Sequence, residues 1–251
     1  MRELLQGKNI AVVGASSGIG LAVGKFAAEQ GANVILGARR TEKLEENLLS
    51  LKGSGRHLSQ KVDVTDEKSV LRFMEFCVDQ LGPLDGVVYC AGVHGFVPMS
   101  LTSEKDFSHY FDTNVKGAQF VIKHVAKKKH YNASGLSVVL MSSSAASRGS
   151  GGAALYSASK GALESLARSV AIEFAKKKIR CNSVAPGMVE TDISSQMKVT
   201  LGAVGYERII NEHPLGLGAP EDVAHSVCFL LSDYAKWVTG TVVAVDGGFC
   251  A

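Results

Sequence analysis

At 251 residues, 46% hydrophobic and 20% charged, the chain can bury a large core as one large or two small domains, which excludes a disordered or staple-dependent protein. Its formal net charge of +3, from 27 Lys+Arg against 24 Asp+Glu, gives no single-sign field of the kind a nucleic-acid binder uses. Five cysteines with no C-x-x-C pair and no His/Cys cluster point away from a zinc site or a disulfide framework and fit a reducing compartment.

The first apolar run, 10–13, predicts a strand. It passes through Gly14-Ala-Ser-Ser-Gly18-Ile-Gly20 into a helical pattern over 21–30 that Gly31 closes. In a strand, glycine loop and helix of this kind, glycines allow positive φ and close backbone approach, and the helix start offers free N–H groups to a pyrophosphate. Gly14, Ser16, Ser17, Gly18, Ile19 and Gly20 are therefore candidate phosphate-binding positions; a purely structural turn would use the same glycines. A second strand over 33–36 leads to Gly37-Ala38-Arg39-Arg40, where a dinucleotide fold holds the adenosine ribose. An acid there would bind a 2′-hydroxyl. Ala38 followed by Arg39 and Arg40 favours a 2′-phosphate and hence NADP(H), unless both arginines are solvated charges paired with Glu42, Glu45 or Glu46.

Further strands are predicted over 58–64, 84–89, 136–141, 179–184 and 242–245, with helical stretches over 41–51, 67–81, 107–127, 153–175 and 220–231. Seven short strands alternating with helices, without a break in composition, predict an α/β chain: one Rossmann domain over 1–251, with a doubly wound, seven-stranded parallel sheet and helices on both faces. The segment 187–218 lacks a strand signal and is too long for an ordinary connection. It is the expected substrate-covering lid, with 206–212 as its helical part.

Tyr156 and Lys160 lie at i and i+4 of a helical pattern, which puts phenol and ammonium on one face. A fixed cation brings a phenol with pKa near ~10 closer to the working range of an acid-base catalyst. Any helix can carry this pair by chance. Ser143, however, stands at the end of a strand 13 residues earlier, where such sheets face their ligand.

With Gly14-x3-Gly18-x-Gly20, Asp63-Val64, Ala91-Gly92, Asn114-Val-Lys-Gly117, Ser143, Tyr156-x3-Lys160, Asn182, Pro186-Gly187 and Asp246-Gly-Gly248 in order, nearly the whole chain resembles the short-chain dehydrogenase/reductases, most of all 3-oxoacyl-[acyl-carrier-protein] reductases. The resemblance implies that Tyr156 is the proton donor, Ser143 holds the substrate oxygen and Lys160 binds the nicotinamide ribose and lowers the Tyr156 pKa. Asn114 would hold a water that relays protons to Lys160. For the cofactor it implies Asp63 and Val64 at the adenine, Ala91 and Gly92 at the ribose, and Pro186, Gly187, Val189 and Thr191 near the nicotinamide. Two positions depart from the family pattern. Val13 replaces a threonine, and Tyr89-Cys90 stands where asparagine is usual, so hydrogen bonds that tie the central strands are expected to be missing.

The resemblance also implies a homotetramer that pairs the 107–127 and 153–175 helices. An apolar site made by His94-Gly-Phe96, 150–152 and lid residues Met188, Ile193, Met197, Leu201 and Tyr206 suits a neutral or acyl carbonyl compound. An acidic acyl carrier protein would dock on Lys127–Lys129 or on Lys176–Arg180; as helix C-terminal cations, the same lysines could equally serve only the helix dipole. No metal is expected. Residues 1–10 lack an apolar leader core and no run reaches the ~18 apolar residues of a membrane span, so the expected location is cytoplasmic, with no nucleic-acid or membrane partner.

Overall fold

A computed structural model describes residues 3–251, with the backbone alone for residues 192–193 and 195–201. Seven strands, β1 (Asn9–Val13), β2 (Asn33–Ala38), β3 (His57–Lys61), β4 (Gly86–Tyr89), β5 (Leu136–Met141), β6 (Ile179–Pro186) and β7 (Val242–Val245), form one sheet in the order β3-β2-β1-β4-β5-β6-β7. Every neighbouring pair is parallel. The central strands β4 and β5 are buried along their whole length, as short continuous apolar runs must be when helices cover both faces.

One face is covered by α3 (Glu67–Leu81), α4 (Glu104–Phe111), α5 (Gly117–Val125) and α6 (Ala154–Glu173), whose Phe73, Met74, Val121, Val125, Leu163 and Val170 pack on Val87, Val138 and Leu140. On the other, α1 (Gly18–Glu29) and α8 (Pro220–Leu231) bring Val23, Ala27, Val223 and Val227 onto Val12, Val34, Val88 and Val139. Small residues let α1 approach closely: a Cβ at Gly24 would come within 2.6 Å of Leu36. The remaining helices are α2 (Thr41–Leu49) and α7 (Asp192–Asn211). Strand order reverses between β1 and β4, and that switch point at the carboxyl ends of the strands is where such sheets bind ligands. Among the described residues no helix is long and apolar enough to cross a membrane.

Several boundaries differ from the sequence expectation. β3 ends at Lys61 rather than Val64, because the Asp63 carboxylate accepts hydrogen bonds from Thr65 N (2.9 Å) and Thr65 Oγ1 (2.7 Å) and turns the chain. β4 starts at Gly86, since Asp85 spends its carboxylate on Asn9 N at 2.9 Å. The single helix expected over 107–127 is two helices, α4 and α5, joined by a π-helical turn at Asp112–Lys116. A hydrophobic pattern does not register that local widening, which in other helices often marks a functional position. The helix expected over 206–212 is also longer: α7 covers Asp192–Asn211 and is kinked at Gly202, φ +70°. Its first half is too polar to show an apolar stripe, and at its start Thr191 N donates to Ser194 Oγ at 2.8 Å.

Candidate active site

A cavity of about 1160 Å³ opens at the switch point. It is lined by Gly14, Ser16, Ser17, Gly18, Ile19, Gly20, Arg39, Arg40, Val64, Ala91, Gly92, Ser143, Tyr156, Lys160, Pro186, Gly187, Val189 and Thr191. Two expected residues do not line it. Asp63 is turned to Thr65. Asn114 is fully buried behind the cavity wall.

The glycine loop is shaped by crowding. Gly14 has φ +92°, and a Cβ there would fall 2.3 Å from Ala91 N; one at Gly20 would fall 2.2 Å from Gly14 O. Gly14 N and Ala15 N both donate to Gly37 O, at 2.7 and 3.1 Å, which seats the loop on the end of β2. The N-cap of α1, Ser17, makes no side-chain capping bond, so the first-turn N–H groups face the cavity free for an anion. Arg40 then closes the loop from the second strand: its Nη2 donates to Ser16 Oγ (2.7 Å) and Ser17 Oγ (3.1 Å). Asn47 of α2, which carries no sequence signal beyond its polarity, donates to Ala15 O and Ser16 O at 3.2 and 3.0 Å. A backbone cradle with free N–H groups and an adjacent guanidinium fits the phosphates of a dinucleotide.

At the other end, Ser143 follows β5 in extended backbone and accepts from Ala145 N at 3.2 Å. Tyr156 sits in the first turn of α6 and Lys160 one turn later, its Nζ 5.8 Å from the Tyr156 ring centre. Lys160 Nζ donates to Met141 O at 2.8 Å. Burial pushes the Tyr156 phenol above its usual pKa, and a hydrogen bond with Ser143 offsets part of that. Burial also brings Lys160 down, to about 8. In this arrangement desolvation, rather than the Lys160 cation, decides the state of the phenol, which is protonated at neutral pH.

Asn114, in the π-helical turn, uses its amide on protein partners: Oδ1 accepts from Val93 N (2.8 Å), and Nδ2 donates to Val93 O (3.2 Å) and Ser159 Oγ (2.8 Å). Ser159 in turn donates to Tyr156 O at 2.7 Å. This network joins the end of β4 to α6. A second tie runs from the Tyr89 hydroxyl to Thr113 O. Together they tie the end of β4 to the π-helical turn and to α6. Cys90 itself is an inert neighbour, its thiol pushed up to about 12 by burial.

Over the mouth of the cavity, Phe249 is stacked between the Arg148 guanidinium, 4.1 Å from the ring centre, and the His213 imidazole, 4.4 Å away. Arg148 also donates to Phe249 O (2.8 Å) and pairs with Glu212 (3.2 Å). His213 Nε2 accepts from Met188 N at 3.0 Å, which puts its proton on Nδ1, facing Ile209 O at 2.8 Å. Neither Arg148 nor Phe249 stands out in the sequence, because their partners come from distant segments. Of the expected lid residues, Met188 lines the cavity and Tyr206 is half-buried; the side chains of Ile193, Met197 and Leu201 lie outside the described residues.

The basic clusters are not at this mouth. Lys127–Lys129 follow α5, and Lys176–Arg180 follow α6, whose end at Glu173 lies roughly 25 Å along the helix from Tyr156 at 1.5 Å per residue. Arg180 is held by the carbonyls of Val238 (3.0 Å) and Leu230 (2.7 Å) and braces the core. Helices deliver both clusters to the end of the sheet away from the cavity.

Residues 14–250 match the family model described as enoyl-(acyl carrier protein) reductase. Versicolorin reductase stcU of Emericella nidulans is 33% identical over 255 residues, covering 97% of this chain and 96% of the relative. The 3-oxoacyl-[acyl-carrier-protein] reductase FabG of Thermotoga maritima is 34% identical over 254 residues, covering 97% and 98%. A short-chain type dehydrogenase/reductase from Mycobacterium ulcerans superimposes with a TM-score of 0.92 at 32% identity, covering 98% of this chain and 90% of that one. With the fold, the glycine loop and these relatives in agreement, the chain belongs to the short-chain dehydrogenase/reductases, NAD(P)(H)-linked oxidoreductases that interconvert carbonyls and alcohols.

Proposed function

We propose that the protein uses NADP(H) to reduce a ketone carried on an extended or ring-bearing apolar frame, 3-oxoacyl thioesters among them. The observation that carries the reading is the convergence of Ser143, Tyr156 and Lys160 on one cavity, with Lys160 Nζ 5.8 Å from the Tyr156 ring centre. NADP(H) rather than NAD(H) is supported by Arg40 on the Ser16 and Ser17 hydroxyls and by Ala38 where an acid would bind a 2′-hydroxyl. The frame of the substrate is supported by the aromatic and apolar wall of His94, Phe96, Met188, Ile209 and Phe249. The relatives named for versicolorin and 3-oxoacyl reduction agree with it.

The cofactor, held by the glycine loop, Arg40, Ala91–Gly92 and 186–191, would supply hydride to the carbonyl carbon. Ser143 and Tyr156 hydroxyls bind the carbonyl oxygen, and Tyr156 gives it a proton as negative charge develops. Lys160, at about 8, lies close enough to neutrality to take up or release a proton beside the phenol. Asn114 and Ser159 hold the Gly92–Val93 backbone and the first turn of α6 in register, which fixes Tyr156 against the carbonyl. We extend the proposal to a homotetramer, since Phe107, Ile172 and Trp237 are exposed, Trp237 by 96%. Tyr156→Phe is expected to cut ketone-dependent NADPH oxidation by about a thousandfold while NADPH still binds. Turnover near that of the unaltered protein would overturn the assignment of the proton donor.

A further inference from the structure

The loop 92–97, between β4 and α4, is fixed at both ends. Val93 is clamped by both polar atoms of the Asn114 amide, and Val97 N donates to Gly152 O at 2.8 Å in the loop before α6. Between these anchors His94 projects into the cavity. Its ring meets Tyr156 edge-on, with centroids 4.9 Å apart and planes at 77°, and meets Phe96 in the same way at 5.1 Å and 87°. Aromatic neighbours of this geometry hold the ring plane without using its nitrogens. Among the described residues neither His94 nitrogen has a hydrogen-bond partner, and neither is a sealed-off buried atom.

We propose that His94 is a specificity residue that hydrogen-bonds a second oxygen of the substrate, one or two carbons from the reacting carbonyl, so that the preferred class is a β-dicarbonyl or hydroxyketone compound. This rests on the reading of Tyr156 as the proton donor, because the two rings are in contact and a carbonyl at the phenol brings the adjacent carbons past the imidazole. Burial, with the Lys160 cation as the smaller cause, keeps His94 uncharged near neutrality. A neutral imidazole donates at one nitrogen and accepts at the other, so it serves a carbonyl or a hydroxyl. A site with such an unpaired group rejects an analogue that lacks the partner oxygen.

The test compares ethyl 3-oxohexanoate with nonan-4-one, which keeps the chain length and the ketone position and lacks both ester oxygens, under NADPH. His94→Phe keeps an edge-on ring and removes both nitrogens; His94→Gln keeps a donor and an acceptor. For His94→Phe the preference for the keto ester, as a ratio of kcat/KM values, is expected to fall about tenfold, with NADPH affinity intact. His94→Gln is expected to retain most of the preference. An equal loss on both substrates in His94→Phe, or a Gln variant as impaired as the Phe variant, overturns the proposal. Loss of NADPH binding in both variants assigns His94 to the fold and also overturns it. If the unaltered protein reduces neither compound, the reductase reading falls and this inference with it.

Discussion

Lys160 shows how a single residue trades stability for chemistry. Its ammonium is buried, with one carbonyl partner at 2.8 Å, and its pKa falls from 10.5 to about 8. The unfolded chain therefore holds a proton on this group over a range where the folded chain does not, and stability rises with pH from about 8 to 10.5. Below that window the full cost of the buried charge is present. Lys160→Met removes it, so the stability of the variant minus that of the parent is expected to shrink by up to about 3 kcal/mol across the window. Denaturant unfolding of both proteins at several pH values measures the difference and cancels the shared cysteine titrations. A gap that does not change with pH would contradict it. The Tyr156-x3-Lys160 spacing was legible because i and i+4 share a helix face. The carbonyl that receives Lys160, Met141 O, was not, because it lies on β5 and only the packing of α6 brings it there.

At the scale of elements, strands and helices that stand alone in the chain were read nearly to the residue. α3 and α8 start and stop where periodicity and the flanking Pro or Gly place them. The π-helical turn at Asp112–Lys116 and the first half of α7 were missed, since neither carries a sustained apolar stripe. The segment 187–218 illustrates the limit further. α7 is fastened at its C-terminal end by the Arg148–Phe249–His213 stack and the Arg148–Glu212 ion pair, contacts between residues tens to a hundred positions apart. Phe249→Ala removes the middle layer of that stack. It is expected to raise KM for NADPH and for the ketone about tenfold, through the loss of roughly 1–1.5 kcal/mol of ring packing, with kcat changed less than KM. Steady-state kinetics checks this; an unchanged KM would show that α7 is held without Phe249.

For the whole molecule, the glycine loop, α1, β2 and α2 meet through Arg40 and Asn47, so a cofactor held there as proposed would stabilise the fold. At one hundred times its dissociation constant NADPH is expected to add about 2.7 kcal/mol, or roughly 5–10 °C in Tm for a chain of this length. NADH at the same concentration is expected to add less, and Arg40→Ala to erase the difference. Thermal unfolding with each cofactor decides it, and equal shifts in the parent protein would remove the 2′-phosphate assignment. The sequence by itself determined the seven-stranded alternating fold, the glycine loop and the Ser143, Tyr156 and Lys160 spacing, because each is encoded by local periodicity or by residues on one turn or one helix face. Only the tertiary structure decided that Asp63 turns away to Thr65, that Asn114 clamps Val93, that Arg40 reaches Ser16 and Ser17, and that the basic clusters lie far from the cavity. Those are statements about which side chains meet across the sheet, and packing settles them because a polar group buried there must find a partner that no local pattern names.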